Sequence, residues 1–122
     1  IINFQGMEFH LRRLSRMTVD DWRRAQERTA VYADPAALPT LVLRTRRAGD
    51  YMRLPVGRRK LKDILIDDKI PREERDTLPL LAIAGTSEIF WIAGGRRSVL
   101  APVTIPGEPV VRIAYDEGDD SQ

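Results

Sequence analysis

Apolar residues along this chain fall mostly into short runs with a two-residue period, punctuated by Pro and Gly and interrupted by a few stretches of helical spacing. Thr18, with Asp21 three residues on, predicts a capped helix start, after which Val19, Trp22 and Ala25 recur at helical spacing. Arg23, Arg24, Glu27 and Arg28 take its other, solvated face. Before it, Phe9, Leu11 and Leu14 fit neither period and stay unassigned. Ala30 to Tyr32 predicts a short strand ended by Asp34-Pro35. A better strand runs over Leu41 to Arg46, and its alternation puts Arg44 and Arg46 on one face, about 7 Å apart by strand rise. Ala48-Gly49-Asp50 reads as a turn, with Gly49 taking a positive φ and Asp50 an Asx-type acceptor.

Pro55 and Gly57 mark a loop, and a helix is predicted from about Arg59 to Asp68 that buries Leu61, Ile64 and Leu65. On its exposed side Arg59 and Lys62 are neighbours, and Asp63 is placed to pair with Arg59. Pro71 opens a second short helix carrying Glu73 and Glu74 at its positive end, and Pro79 stops it. Leu80 to Ala84 and Glu88 to Ala93 flank Gly85-Thr86-Ser87 as a hairpin. Within it Phe90 and Trp91 point to opposite sides, one to the core and one partly outward. A basic loop follows at Gly94 to Ser98, then a strand over Val99 to Ile105, a turn at Pro106-Gly107 and a last strand from Pro109 to Tyr115. These elements predict an α+β fold with a small β-sandwich-like core, two central short helices and an N-terminal helix.

The division expected from this pattern has four parts. Residues 1–6, ending Phe4-Gln5-Gly6 before Met7, read as the remnant of a cleaved purification tag. Residues 7–29 read as a helical linker or appended element, 30–115 as the domain proper, and 116–122 as an acidic disordered tail. Internal repeats are absent.

Composition narrows the chemistry. There is no cysteine, which excludes disulfides, zinc-thiolate sites and thiol catalysis, and the single His10 leaves no two-histidine metal site. His10 itself reads as a bystander. No apolar run reaches the ~18 residues that would span a membrane, so a cytoplasmic protein is the default expectation. The net charge is only +2, but its distribution is uneven: the acidic Asp116-Glu117-Gly118-Asp119-Asp120 offsets a strongly basic middle. That middle holds Arg44, Arg46, Arg47, Arg53, Arg58, Arg59, Lys60 and Lys62, with Asp50 its only acid. Guanidinium groups on one face suit backbone phosphates, which accept bidentate hydrogen bonds from arginine. Asp50 fits a turn cap or an arginine partner better than a catalytic carboxylate, and Glu73 and Glu74, adjacent on a helix, do not face each other as an acid-base pair must. Tyr51 reads as a packed ring more readily than as a stacking platform for a base.

The ordered set Arg44-Thr45-Arg46 to Gly49-Asp50, Lys60-Leu61-Lys62-Asp63, Lys69-Ile70-Pro71, Arg75-Asp76, Pro79-Leu80 and Trp91 resembles the C-terminal domain of tRNA(Ile)-lysidine synthase, over roughly Ala30 to Ile113. Tyr51 stands where that family often has Arg, Arg59 where it often has Lys, and the loop Leu54-Pro55-Val56-Gly57 is shorter than its usual form. The resemblance implies a fold similar to a domain in the β subunit of phenylalanyl-tRNA synthetase. It also implies a parent enzyme that uses ATP, with Mg, to attach lysine to the wobble cytidine of a minor isoleucine tRNA. In that family the corresponding domain grips the tRNA acceptor stem, and the partners implied are that tRNA and the parent's catalytic domain. The family's Ser-Gly-Gly-x-Asp-Ser pyrophosphate loop is not in this sequence, where Gly94-Gly95 is followed by Arg96-Arg97, so no catalytic residue and no cofactor site is expected here. The expected RNA contacts are Arg44 and Arg46, with Arg47, Arg53, Arg58, Arg59, Lys60 and Lys62 as an electrostatic track. The alternative is a protein-docking or homodimerising module that binds no nucleic acid, using an exposed sheet edge.

Overall fold

The computed structural model describes residues 1–103 and 108–117. In chain order the elements are β1 (Ile2–Phe4), β2 (Met7–Leu14), α1 (Val19–Gln26), β3 (Ala30–Ala33), β4 (Leu41–Arg44), β5 (Tyr51–Leu54), β6 (Gly57–Lys60), α2 (Leu61–Asp67), α3 (Arg72–Arg75), β7 (Leu80–Ile83), β8 (Ile89–Ile92) and β9 (Val110–Glu117). The architecture is α+β, with short helices and several antiparallel sheets, as the pattern of periods predicts. Among the described residues no helix is long and apolar enough to cross a membrane.

The chain divides into two compact units. The first joins Ile1–Leu38 to Ala101–Gln122 around a four-stranded sheet of order β1-β2-β9-β3. Here the expected division of the chain needs correction. Met7 to Leu14 is no linker: it is an inner strand that pairs with β9 along its whole length, from Met7↔Glu117 to Leu14↔Val110. The residues up to Gly6 also belong to the fold, because β1 pairs with β2 through a two-residue turn. Gln5 and Gly6 supply the two positive φ values, 53° and 79°, that such a tight hairpin turn requires. At the other end Asp116 and Glu117 continue β9 rather than opening a disordered tail, and the rest of that tail lies outside the described residues.

Helix α1 starts where the capping box places it: the Asp21 amide donates to the Thr18 hydroxyl at 3.2 Å and the Thr18 amide to Asp21 Oδ2 at 2.8 Å. Its apolar spacing misleads, however. Val19 and Trp22 are exposed, and only Ala25 packs on the core of Met17, Ala30, Tyr32, Val110 and Ala114. A polar bond joins helix and sheet as well, from the Tyr32 hydroxyl to Asp21 Oδ1 at 3.0 Å. Burial pushes the Asp21 carboxyl up, but the Thr18 and Tyr32 hydrogen bonds and the Arg112 charge outweigh it and hold the group below its ordinary value.

The second unit, Pro39–Leu100, holds a three-stranded antiparallel sheet of order β4-β7-β8 and the β5-β6 hairpin. Leu61, Ile64 and Leu65 of α2 are buried as predicted, in a core with Met52, Leu54, Leu80, Ala82, Ile89 and Ile92. The predicted helix begins too early, because Arg58, Arg59 and Lys60 complete β6, with Arg58 opposite Arg53 and Arg59 opposite Met52. Phe90 and Trp91 are both buried, against the expectation that one would face outward. The reason is the segment 94–98, which folds back along the outer edge of β8: Ser98 donates its amide to the Phe90 carbonyl at 2.7 Å, and Ile92 to the Arg96 carbonyl at 2.9 Å. That segment thereby removes an exposed edge on which docking of another chain was expected to rest. Residues 99–103 form no strand, and the remainder of the strand expected to Ile105, with the Pro106-Gly107 turn, lies outside the described residues.

Candidate anion-binding cleft

Strand β4 ends at Arg44, so the alternation expected to pair Arg44 with Arg46 stops between them. Arg44 is only 8% exposed and Asp50 only 4%. Their side chains meet fork to fork, Nη1 to Oδ2 and Nη2 to Oδ1, both at 2.9 Å. Arg44 also donates to the Thr45 carbonyl at 2.9 Å, while Asp50 Oδ2 accepts the Arg47 amide at 2.7 Å. Gly49, at φ 88°, turns the chain so that Asp50 can reach back in this way. The Asp50 carbonyl then accepts the Leu61 amide at 2.9 Å, fixing the start of α2 against the same turn. Arg44 is therefore corrected from a phosphate contact to an internal strut: both its terminal nitrogens are occupied and the side chain is buried away from a ligand.

Around that strut opens a cleft of about 550 Å³ lined by Arg46, Arg47, Lys60 and Lys62, with Ala48 and Gly49 at the turn and Asp50, Leu61 and Asp76 completing it. Arg47, Lys60 and Lys62 are exposed, and among the described residues none has a carboxylate within salt-bridge distance. Arg46 Nε donates to Asp76 Oδ1 at 2.8 Å, but the Asp76 side chain is 79% exposed and an anion can replace it at little cost. Asp50 adds little negative potential, since Arg44 neutralises it.

The other cations named from the sequence lie elsewhere. Arg53 Nε is 3.1 Å from Glu88 Oε2, and Arg58 lies over the Tyr51 ring at 3.9 Å. The Tyr51 hydroxyl donates to Glu88 Oε1 at 3.3 Å, which makes this ring a packed one. Arg59 pairs with Asp67 at 2.7 Å rather than with Asp63, because its position on β6 rather than α2 points it to the far end of the helix. The eight cations expected to form one interface thus divide three ways: four at the cleft, three on the β5-β6 hairpin, and Arg44 buried beneath. Sequence reasoning missed Asp76 as the residue that competes for Arg46, thirty residues away.

The Gly94-Gly95 segment offers no cradle for a nucleotide phosphate. The Gly95 amide is bonded to the Ile92 carbonyl at 2.7 Å, and a Cβ there would meet Ile92 Cγ2 at 3.3 Å. Its arginines turn inward as well, Arg96 onto Asp68 and Arg97 over the Phe90 ring at 4.9 Å. Burial pushes the Arg97 guanidinium down from its ordinary value. These residues do not fit ATP, and no step of ATP chemistry is derived for them.

A small α+β domain with a cationic cleft between a Gly-Asp turn and the start of a short helix is the class that fold and site define. Residues 41–99, nearly the whole of the second unit, match the family of the TilS substrate C-terminal domain, and that unit belongs to the family. A crystal structure of a TilS C-terminal domain is similar over 95% of this chain and 88% of its own length, with a TM-score of 0.75 and 29% identity. The tRNA(Ile)-lysidine synthase of Bacillus subtilis (strain 168) is 40% identical over 77 residues, which are 62% of this chain and 16% of that protein. The enzyme of the same name from Caldanaerobacter subterraneus subsp. tengcongensis is 49% identical over 78 residues, again 62% and 16%. A bifunctional TilS/HprT protein of Listeria innocua is 46% identical over 68 residues, 54% of this chain and 10% of its own. The chain therefore spans about a sixth or less of the curated relatives described here.

Proposed function

We propose that this domain binds tRNA for a tRNA(Ile)-lysidine synthase, holding the acceptor stem of a minor isoleucine tRNA while a separate catalytic domain, with ATP and Mg, modifies the wobble cytidine. The observation that carries this reading is the cleft itself. Arg46, Arg47, Lys60 and Lys62 line one opening, and among the described residues the only exposed carboxylate lining it is the readily displaced Asp76. Duplex RNA is held mainly through phosphates and 2′-hydroxyls, for which mobile lysines and planar guanidiniums are suited. Phosphate contacts position a nucleic acid without reading its sequence, so the cleft accounts for affinity and placement and leaves base selection to other contacts.

The test is binding of a minor isoleucine tRNA transcript to the 122-residue chain between 50 and 200 mM salt. Four phosphate contacts predict a loss of affinity of roughly two orders of magnitude over that range. Arg47→Ala/Lys62→Ala, at two exposed positions without an ion-pair partner among the described residues, should lower the slope of log affinity against log salt by about 2. An unchanged slope in that variant refutes the reading. Light scattering on the same samples separates the docking alternative, which requires a stable dimer without tRNA affinity.

A further inference from the structure

The family match ends at residue 99, yet the first unit carries a cleft of its own, of about 730 Å³. It opens beside α1, on the face of the sheet that bears Ala30, Tyr32, Val110 and Ala114, and Arg12, Arg23, Arg24 and Arg112 supply its cations. The register of the sheet puts Arg12 directly opposite Arg112 on neighbouring antiparallel strands. Like charges so placed repel, a cost that an anion lodged between them removes. Arg112 is also held in position: its Nε donates to the Tyr32 hydroxyl at 3.1 Å, which leaves the terminal nitrogens of the guanidinium for a ligand. Arg12 and Arg24 are exposed and, among the described residues, have no ion-pair partner. Arg23 is bonded to Asp20 at 2.6 Å. The acids lining the cleft are Glu27 and Asp116, the latter 3.5 Å from His10 Nε2, and Asp21, bonded to the same Tyr32 hydroxyl, partly offsets the charge of Arg112 and leaves that of Arg12 and Arg24 unopposed.

We infer that this cleft is a second phosphate-backbone site, one that takes a ribose-phosphate strand through Arg12, Arg24 and Arg112. All of its cations are arginines, the side chain whose planar fork matches a phosphate oxygen pair. The inference rests on the reading above for its ligand, RNA, and extends it to a part of the chain that the family match does not cover. A tRNA bound by this chain would then be held at two places rather than one.

The experiment compares three proteins in tRNA titrations across the same salt range: the unaltered chain, Arg12→Ala/Arg24→Ala, and Arg47→Ala/Lys62→Ala. The first-unit variant should lower the salt slope by about 2 and the affinity at 100 mM salt by roughly tenfold or more. Arg12→Lys/Arg24→Lys should restore the slope, since it restores the charge. Circular dichroism and melting guard against misfolding, and Arg24→Gln alone, on an exposed helix face, provides a variant that leaves the sheet untouched and should lower the slope by about 1. Inorganic pyrophosphate as competitor separates a site for small free phosphates, which it would empty at micromolar concentration, from one that needs a polymer. A slope unchanged in Arg12→Ala/Arg24→Ala but lowered in Arg47→Ala/Lys62→Ala overturns this inference and leaves the proposed function standing. The reverse pattern overturns the proposed cleft of the second unit and keeps this one, and two unchanged slopes remove both.

Discussion

Replacing Asp50 by alanine separates the two roles that a buried arginine can have. In the native fold Arg44 gives both terminal nitrogens to the Asp50 carboxylate at 2.9 Å, and Asp50 also accepts the Arg47 amide at 2.7 Å. Asp50→Ala leaves a guanidinium, 8% exposed, without its counter-charge and an amide without its acceptor. Removing one partner of a buried pair costs about 3–5 kcal/mol, most of it the penalty of the charge left behind. For 122 residues, at about 2.1 cal/mol/K of unfolding entropy each, every kcal/mol is worth roughly 4 °C in Tm, so the expected drop is about 12–20 °C. Arg44→Met/Asp50→Leu should regain much of that loss, because no charge remains stranded and the volume stays filled. Urea titrations of the single and double variants give the coupling energy by a double-mutant cycle. Arg44→Met, assayed below its melting point, should also leave the salt slope of tRNA binding untouched. If Asp50→Ala melts within about 2 °C of the unaltered chain, or Arg44→Met lowers that slope by about 1, Arg44 is a phosphate contact after all and its reading as a strut is wrong.

Two further predictions concern weaker bonds. Asp76→Asn releases Arg46 into the cleft and should raise tRNA affinity a few-fold at 100 mM salt, measured by anisotropy; a fall in affinity would show that Asp76 orients Arg46 instead of competing for it. The Asp21 carboxyl is held below its ordinary value, so its contribution to stability is present above the unfolded-state value of about 4 and is lost as the pH falls through the depressed one. Chemical denaturation between pH 7 and pH 2.5 should show that loss in the unaltered chain and a shallower one in Asp21→Asn; parallel curves would refute the assignment.

The elements that were legible in the sequence are those whose partners lie close by in the chain. The Thr18-Asp21 capping box, the Gly49-Asp50 turn and the hairpin across Gly85-Thr86-Ser87 each depend on contacts within a few residues, and each forms as expected. Strand β2 was missed although Met7, Phe9 and Leu11 do alternate, because Arg13 and Leu14 break the pattern and its partner, β9, lies about a hundred residues on. The burial of both Phe90 and Trp91 was equally hidden. Alternation says which way a side chain points, and only the return of 94–98 along β8 says what covers it.

The same distinction governs the arginines. A sequence presents eight cations between positions 44 and 62 as one run, but a cation is available to a ligand only where the fold has not already given it a counter-charge. Arg44 finds Asp50 six residues away, Arg59 finds Asp67 eight away, and Arg46 and Arg53 are met by Asp76 and Glu88 from more distant parts of the second unit. These pairs differ in what they withhold. The buried one is closed to any ligand, whereas Arg46 faces a carboxylate that is itself mostly in water and yields to a stronger anion. Burying Arg44 against Asp50 also shapes the cleft, since the turn it braces sets where Arg47 stands and the Asp50 carbonyl anchors the first amide of α2, beside Lys60 and Lys62. The arginine that sequence reading placed at the centre of the interface thus acts one layer beneath it. Its removal should lower the melting temperature and leave the grip of the folded domain on an anion unchanged, whereas removal of Arg47 or Lys62 should weaken that grip and leave the fold intact.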